Sequence, residues 1–136
     1  MTFILDCSVT MAWLFLDEMN DYTESILDAL QKNKRAIVPG LWTWEVSNVL
    51  LVGERRGRIT HVQAIGFWEI LKALPIIIDE QAVIHAHDTT YHLAHEHKIS
   101  AYDAAYLEVA LRQQAPLATM DKQLIKVAQA MGVHVL

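Results

Sequence analysis

Short, almost wholly apolar runs alternate with longer segments of helical periodicity along this chain. The runs lie at residues 3–5, 36–38, 76–78 and 117–119. They are too short for helices and lack the alternation of a half-exposed strand, so they indicate strands buried on both faces. Because helical segments separate them, the chain is predicted to fold as a three-layer α/β/α domain with a short-stranded, mostly parallel central sheet.

Apolar residues at helical spacing predict the segments between these strands. Thr60 and Ser100 are predicted to cap helices, and Pro75 and Pro116 to end them. The predicted helices cover roughly residues 9–16, 20–34, 42–53, 60–74, 80–97, 100–111 and 121–128, with a last strand at 133–135.

Length and composition exclude several classes of protein. A chain of 136 residues fits one domain, taken here as residues 1–136, and 53% hydrophobic residues suffice for a core. No apolar run approaches the ~18 residues of a membrane span. A single cysteine, Cys7, excludes an internal disulfide. These features predict a soluble protein of the cytoplasm.

The charge balance restricts how the chain could bind nucleic acid. Its formal net charge is −5, which argues against a broad basic surface that grips phosphates. A nuclease whose acidic residues are covered by metal ions remains compatible with this charge.

Four carboxylates, Asp6, Glu45, Asp103 and Asp121, occupy related places in this pattern. Asp6 and Asp121 directly follow predicted strands, whereas Glu45 and Asp103 lie near the beginning of predicted helices. All four can therefore reach the edge formed by the carboxyl ends of parallel strands, where ligands bind in such folds. Each acid alone could instead be a helix cap or a partner of the helix dipole.

The capping explanation weakens when the acids are considered together. Glu45 is in register with Val49, and Asp103 with Tyr106 and Leu107, so both acids lean toward faces that should be buried. Carboxylates are rarely buried without partners, and neighbouring carboxylates repel one another. A site made only of oxygen ligands suits Mg²⁺ or Mn²⁺.

The segments around these acids resemble a known family over essentially the whole chain. They read Leu-Asp-Cys-Ser at residues 5–8, Trp-Glu-Val at 44–46, Ser-Ala-Tyr-Asp-Ala-Ala-Tyr-Leu at 100–107 and Ala-Thr-Met-Asp-Lys at 118–122. In this order and spacing they resemble the PIN-domain ribonucleases, and particularly the VapC toxins of bacterial type II toxin–antitoxin pairs.

The resemblance implies a PIN-like fold and a metal-dependent endoribonuclease. It implies that the four acids are catalytic and bind one or two Mg²⁺ or Mn²⁺ ions. Ser8 and Thr119 would be hydroxyls that orient a carboxylate or a bound water. It further implies an RNA substrate, a homodimer and a cognate VapB-type antitoxin that blocks the site.

Three other functions compete with this one. A phosphatase with an aspartyl nucleophile needs a second acid two residues after Asp6, where this chain has Ser8. A phospho-acceptor receiver domain needs paired acids near the N-terminus, and none is visible. A catalytically weak or inactive PIN-like module that binds RNA or protein stays open as the alternative.

Histidine, cysteine and tryptophan residues suggest no other site. Five of the seven histidines fall between residues 85 and 97 without a zinc-binding motif, and are interpreted as a solvated helix face. Cys7 is interpreted as a buried neutral thiol. Trp42 and Trp44 are two residues apart, so on a helix one of them is expected to be exposed.

Overall fold

A four-stranded parallel sheet forms the centre of the molecule, and helices cover both of its faces. The computed structural model describes residues 1–136. The strands are β1 (Thr2–Leu5), β2 (Arg35–Pro39), β3 (Ile76–Asp79) and β4 (Leu117–Ala118), in the spatial order β3-β2-β1-β4. Every pairing is parallel. The three-layer α/β/α prediction is confirmed.

Seven α-helices connect and follow the strands, and a short 3₁₀ helix covers Leu16–Glu18. They are α1 (Cys7–Ala12), α2 (Asp21–Gln31), α3 (Leu41–Arg55), α4 (His61–Ala73), α5 (Thr89–His97), α6 (Ala101–Gln113) and α7 (Lys122–Ala130). None of them combines the length and apolar character that crossing a membrane requires.

Side-chain caps define where several helices begin. Thr60 caps α4 in a reciprocal box with Gln63, and the Ser100 hydroxyl accepts a hydrogen bond from the N–H of Asp103 at 3.0 Å. Both caps were predicted, since a hydroxyl ahead of a periodic segment satisfies an N–H that the helix leaves unpaired. The Ser100 cap fixes where α6 begins and hence where Asp103 stands.

The core lies on both sides of β1, one of the two inner strands of the sheet. Phe3, Ile4 and Leu5 are fully buried, and Tyr106 and Leu107 of α6 pack in the same cluster. Burial on both faces explains why the run has no polar alternation. It also fixes the point at which the chain leaves the sheet, immediately before Asp6.

The predicted helix at 80–97 is wrong over its first half. Residues 80–88 form successive turns, with i→i+3 hydrogen bonds from the N–H groups of Ile84, His85 and Ala86. The Asp79 carboxylate accepts the N–H of Gln81 at 2.9 Å. This local side-chain bond favours a turn over an α-helix at that point.

Two further boundaries differ from the prediction. The expected strand at 133–135 is reduced to a single bridge between Val135 and Leu117, because β4 is only two residues long. The first helix spans Cys7–Ala12 rather than 9–16. It therefore begins directly after Asp6.

Candidate metal centre

The sheet brings its acidic residues together at the carboxyl ends of β1 and β4. The N–H of Asp6 donates to the carbonyl of Ala118 at 3.0 Å, which continues the pairing of the two strands by one residue. Asp6 and the 119–121 segment therefore leave the sheet side by side. This is the place where open parallel sheets bind ligands.

Asp6 is buried, with 6% of its surface exposed, and two hydroxyls hold its carboxylate. Ser8 Oγ donates to Oδ2 at 2.6 Å, and Thr119 Oγ1 donates to the same oxygen at 2.8 Å. Burial raises the pKa of Asp6, the two hydroxyls and the N–H of Cys7 oppose that rise, and the charge of Asp121 adds to it. Because both hydroxyls bind Oδ2, Oδ1 is the oxygen left for a ligand.

The same two hydroxyls also hold the segment after β4. Ser8 Oγ accepts the N–H of Met120 at 3.2 Å, and Thr119 Oγ1 accepts the N–H of Asp121 at 3.0 Å. The Tyr22 hydroxyl accepts the N–H of Thr119 at 3.2 Å. The hydroxyls of Ser8 and Thr119 thus each connect the Asp6 carboxylate to the backbone of the segment that carries Asp121.

Glu45 lies in the second turn of α3, where it is half-buried. The hydroxyl of Tyr106 donates to its Oε1 at 2.5 Å. Burial raises the pKa of Glu45, the Tyr106 hydroxyl opposes the rise, and the charges of Asp6 and Asp103 add to it. Two acids from other elements therefore act on the Glu45 carboxylate.

The helical register of the sequence predicts Tyr106 only as an apolar position on the buried face of α6. In the structure its ring is completely buried while its hydroxyl reaches Glu45. The available signal was chemical: a buried tyrosine hydroxyl needs a hydrogen-bond partner. Tyr106 follows Asp103 by three residues, so one helix supplies both an acid and the hydroxyl that holds another acid.

Asp103 stands in the first turn of α6 and is partly buried. Burial raises its pKa most, the charges of Asp121 and Asp6 raise it further, and Ser100 lowers it. The raised pKa of Asp103 means that burial, together with the charges of Asp121 and Asp6, outweighs the hydrogen bond with Ser100.

Asp121 is exposed and caps α7, since its Oδ1 accepts the N–H of Leu124 at 3.0 Å. The capping interpretation is therefore correct for this residue. Its charge nevertheless acts on both Asp6 and Asp103 and raises the pKa of each. Asp121 is therefore both the cap of α7 and a member of the acidic cluster.

The four acids form one electrostatically coupled cluster without a compensating cation. No Lys, Arg or His side chain forms an ion pair with any of them. All the available donors are carboxylate oxygens, which hard divalent cations prefer. In their present rotamers no three of them are gathered closely enough to hold a metal ion. The donor set fits such an ion, and holding one would require the carboxylates to come closer together.

The other candidate residues behave largely as the sequence indicated. Trp42 is buried and Trp44 is 78% exposed, so the prediction of opposite faces is confirmed. Cys7 is buried, and burial together with the charges of Glu45 and Asp6 raises the pKa of its thiol well above the ordinary value. The five clustered histidines do not share a helix, since His85 and His87 precede α5.

A second charged cluster, which no sequence pattern predicted, is centred on Arg112. Its guanidinium donates to Asp79 at 2.9 and 3.1 Å and to Glu108 at 2.6 and 3.2 Å. Gln113 also donates to Asp79 at 2.8 Å. Both acids are paired with a cation, Arg112, which distinguishes them from the coupled acids described above. Their role is to tie the end of β3 to α6.

Comparison with known proteins adds to this geometry. The family model described as "PIN domain" matches residues 3–130. Ribonuclease VapC3 of Pyrobaculum aerophilum is 28% identical over 128 residues, which cover 91% of this chain and 92% of that protein.

Solved structures share the fold at low sequence identity. PAE2754 from Pyrobaculum aerophilum superposes with a TM-score of 0.70 at 20% identity, over 93% of this chain and 78% of that one. VapBC2 from Rickettsia felis, bound to a DNA fragment from its promoter, gives 0.68 at 14% identity, over 100% and 98%. VapBC-1 from nontypeable Haemophilus influenzae gives 0.65 at 16% identity, over 100% and 97%.

Proposed function

The chain belongs to the PIN domain family, and from that premise we propose that it is a metal-dependent endoribonuclease, the toxin of a toxin–antitoxin pair. The observation that carries the proposal is the coupled cluster of Asp6, Glu45, Asp103 and Asp121, which has no cation of its own. The relative named as a ribonuclease supports the activity. The neighbours that are toxin–antitoxin complexes support the biological setting.

The four acids would hold Mg²⁺ or Mn²⁺. When bound, such an ion activates water at neutral pH and offsets the charge of the reacting phosphate. Ser8 and Thr119 would fix the Asp6 carboxylate by holding Oδ2, and Oδ1 accepts no hydrogen bond from a side chain. Tyr106 would do the same for Glu45 by holding Oε1.

The proposed reaction is hydrolysis of an RNA phosphodiester. Water adds to the phosphorus, the bond between phosphorus and the 3′-oxygen breaks, and that oxygen leaves as a hydroxyl. The products carry a 5′-phosphate and a 3′-hydroxyl, and the ribose 2′-hydroxyl takes no part. Hydroxyl groups hold the carboxylates of Asp6 and Glu45 in place. Carboxylates fixed in this way would orient the reactants, and such positioning lowers the barrier to the reaction.

We further propose a homodimer that works in the cytoplasm and is inhibited by a cognate VapB-type antitoxin. The VapBC complexes among the structural neighbours support a partner of this kind. A cationic segment of such a partner would suit the anionic site, because charge complementarity speeds association.

The alternative is a PIN-like module that binds RNA or protein without cutting it. The observation in its favour is that the four carboxylates are not gathered into a ligating group of three in the structure. Metal binding separates the two functions, because a nuclease must close the site around an ion and a binding module need not.

The deciding experiment is cleavage of a pool of small RNAs by antitoxin-free protein with Mg²⁺ or Mn²⁺. EDTA and Asp103→Asn should each abolish the products, and Asp28→Asn, a matched change at an exposed acid that pairs only with Lys32, should not. The products should carry 5′-phosphates. Ends with 2′,3′-cyclic phosphate, or full cleavage by Asp103→Asn, would refute the proposed mechanism.

A further inference from the structure

The hydroxyl of Tyr22 reaches the acidic cluster from α2, a helix that supplies none of the four acids. It accepts the N–H of Thr119 at 3.2 Å, and Thr119 Oγ1 donates in turn to Asp6 at 2.8 Å. Burial raises the pKa of Tyr22, the N–H of Thr119 opposes that rise, and the charge of Asp6 adds to it. The tyrosine oxygen therefore lies within the electric field of the Asp6 carboxylate, although the residue is partly exposed to solvent.

The first turn of α2 holds Tyr22 in this place. Asn20 and Thr23 cap the helix reciprocally, and the N–H of Thr23 donates to Asn20 Oδ1 at 2.8 Å. The indole N–H of Trp13 donates to the carbonyl of Thr23 at 2.8 Å, which ties the same turn to the end of α1. A hydroxyl on a turn anchored in this way is preorganised, so little free energy is lost in ordering it when a ligand binds.

The proton of the Tyr22 hydroxyl has no acceptor within the protein. A tyrosine hydroxyl can donate one hydrogen bond as well as accept, and the hydroxyl of Tyr22 only accepts, from the N–H of Thr119. The hydroxyl of Tyr106 differs, because its proton goes to Glu45. One of these two hydroxyls is therefore committed to an acid, and the other keeps a donor for a bound group.

A phosphate oxygen is the acceptor that suits this donor. The reaction proposed above brings a phosphodiester to the four acids, and tyrosine hydroxyls are among the groups that donate to phosphate oxygens in complexes with nucleic acids. Lys122, which directly follows Asp121, is exposed and forms no ion pair, so this side of the cluster also carries a positive charge that favours an anion.

The neutrality of the hydroxyl also matters at an anionic site. Because the pKa of Tyr22 is raised above its ordinary value of about 10, the hydroxyl keeps its proton at neutral pH. A lysine or arginine in its place would form an ion pair with the carboxylates and compete with a metal ion for them. A tyrosine can donate to a phosphate without that competition.

We propose that the hydroxyl of Tyr22 donates a hydrogen bond to a phosphate oxygen of the RNA bound at the acidic cluster. This rests on the proposed nuclease function and adds a residue that touches the substrate. The one hydroxyl then has two tasks, since it accepts the N–H of Thr119 and so holds the segment that leads to Asp121, and it donates to the phosphate and so orients it. The experiment has to separate these tasks.

The first measurement compares RNA affinity with metal affinity in Tyr22→Phe, which keeps the ring. Binding of a short labelled RNA of random sequence, in Mg²⁺ and in protein carrying Asp103→Asn to prevent cleavage, should weaken about tenfold to hundredfold, the usual worth of a hydrogen bond to a charged group. Mg²⁺ affinity without RNA, with all four acids intact, should change less than about threefold, because water can take the N–H of Thr119 at this partly exposed place.

Thermal unfolding confirms that the variant is folded, and Tyr91→Phe, at a ring that is 60% exposed, should leave RNA affinity unchanged. A loss of RNA affinity no larger than the loss of Mg²⁺ affinity would reduce Tyr22 to a positioning residue and overturn the proposal.

A double-mutant cycle tests the hydrogen bond itself. One RNA of defined sequence, the tightest binder from the random pool, is made as a series in which each phosphate in turn becomes a neutral methylphosphonate that lacks one oxygen. At one linkage the replacement should cost less affinity with Tyr22→Phe than with the parent protein, because the missing oxygen and the missing hydroxyl belong to the same contact. Equal costs in both proteins at every linkage would overturn the contact, as would coupling to a ribose 2′-hydroxyl instead.

Failure of this inference is distinguishable from failure of the nuclease. If protein with all four acids cuts RNA but the cycle shows no coupling at any linkage, the contact of Tyr22 is wrong and the activity stands. If no RNA is cut but the coupling appears at one phosphate, the contact stands without the activity.

Discussion

The hydroxyl of Tyr106 donates to Oε1 of Glu45 at 2.5 Å, although 61 residues separate the two in the chain. Tyr106 comes from α6 and Glu45 from α3, so the bond joins two helices beside the acidic cluster. The tyrosine ring is fully buried in the core. The orientation of one candidate metal ligand therefore depends directly on core packing.

Tyr106→Phe should reduce metal affinity and RNA cleavage about 10- to 100-fold, the usual effect of removing a group that orients a metal ligand. The free energy of unfolding should fall by only about 1–2 kcal/mol, because one hydrogen bond is lost and the ring still fills its place. Metal titration and urea unfolding measure the two effects. Tyr91→Phe, at an exposed ring, is the control, and wild-type cleavage by Tyr106→Phe would contradict the assignment of Glu45.

Thr119→Val should be more harmful than Ser8→Ala, although both remove a hydroxyl from Asp6. Thr119 is buried, and its hydroxyl both donates to Asp6 and accepts from the N–H of Asp121. Valine leaves the N–H of Asp121 without this acceptor and removes one of the two hydroxyls that donate to Oδ2 of Asp6, which should cost about 1–3 kcal/mol of stability.

Ser8 is less buried, so water can substitute for part of what its hydroxyl does. Thermal unfolding and Mg²⁺ affinity of the two variants test the order. A larger loss of thermal stability and Mg²⁺ affinity in Ser8→Ala than in Thr119→Val would show that burial of the hydroxyl does not determine the size of the loss.

Local patterns predicted the parts of this fold that local forces decide. The apolar run before Asp6 became a central strand, because a run without polar alternation can only be covered on both faces. The hydroxyl of Ser100 caps α6, as a serine ahead of a periodic segment should. Opposite exposure of Trp42 and Trp44 follows from helical geometry alone.

Pairings between distant residues could not be predicted in this way. The 80–97 segment has helical periodicity, but Asp79 at its start is held by Arg112, 33 residues further on, and by the N–H of Gln81. The bond from Tyr106 to Glu45 is equally distant in sequence. Such contacts can be predicted only when the order of the strands in the sheet is known, and no local pattern specifies them.

Asp103→Asn should make the metal-free protein more stable at neutral pH while it removes stabilisation by metal. Burial and the charges of Asp121 and Asp6 raise the pKa of Asp103, so the folded state keeps the proton to a higher pH than the unfolded chain does. Stability therefore falls as the pH rises from the ordinary value of about 3.9 through the raised value, and the cost is complete above it. Asparagine carries no charge and avoids this cost.

Thermal unfolding at neutral pH, in EDTA and in Mg²⁺, measures both effects. The melting temperature of the variant should exceed that of the wild type in EDTA, and Mg²⁺ should raise it less than it raises that of the wild type. Equal stabilisation of both proteins by Mg²⁺ would remove Asp103 from the metal site.

Asp79→Asn should destabilise the protein at neutral pH and lose this effect in acid. Burial alone would raise the pKa of Asp79, but hydrogen bonds from Arg112 and Gln113 and the charge of Arg112 outweigh it, so the pKa is lowered. The ionised carboxylate therefore contributes stability above its unfolded pKa of about 3.9, and the contribution is lost as the pH falls through the lowered value. At neutral pH the substitution should cost about 1.5–3 kcal/mol, because it weakens the charge-assisted hydrogen bonds to Asp79 while Arg112 keeps its pair with Glu108.

Urea unfolding of both proteins between about pH 3 and pH 7 tests the sign and the window. Asp28→Asn is the matched control, since its pair with Lys32 is exposed and should contribute less than about 0.5 kcal/mol at any pH. RNA cleavage by Asp79→Asn should persist wherever the protein is folded, because the cluster around Arg112 carries its own cation and takes no part in metal binding. A difference in stability that stays constant down to the lowest pH would mean that Asp79 acts through shape and hydrogen bonding rather than through its charge.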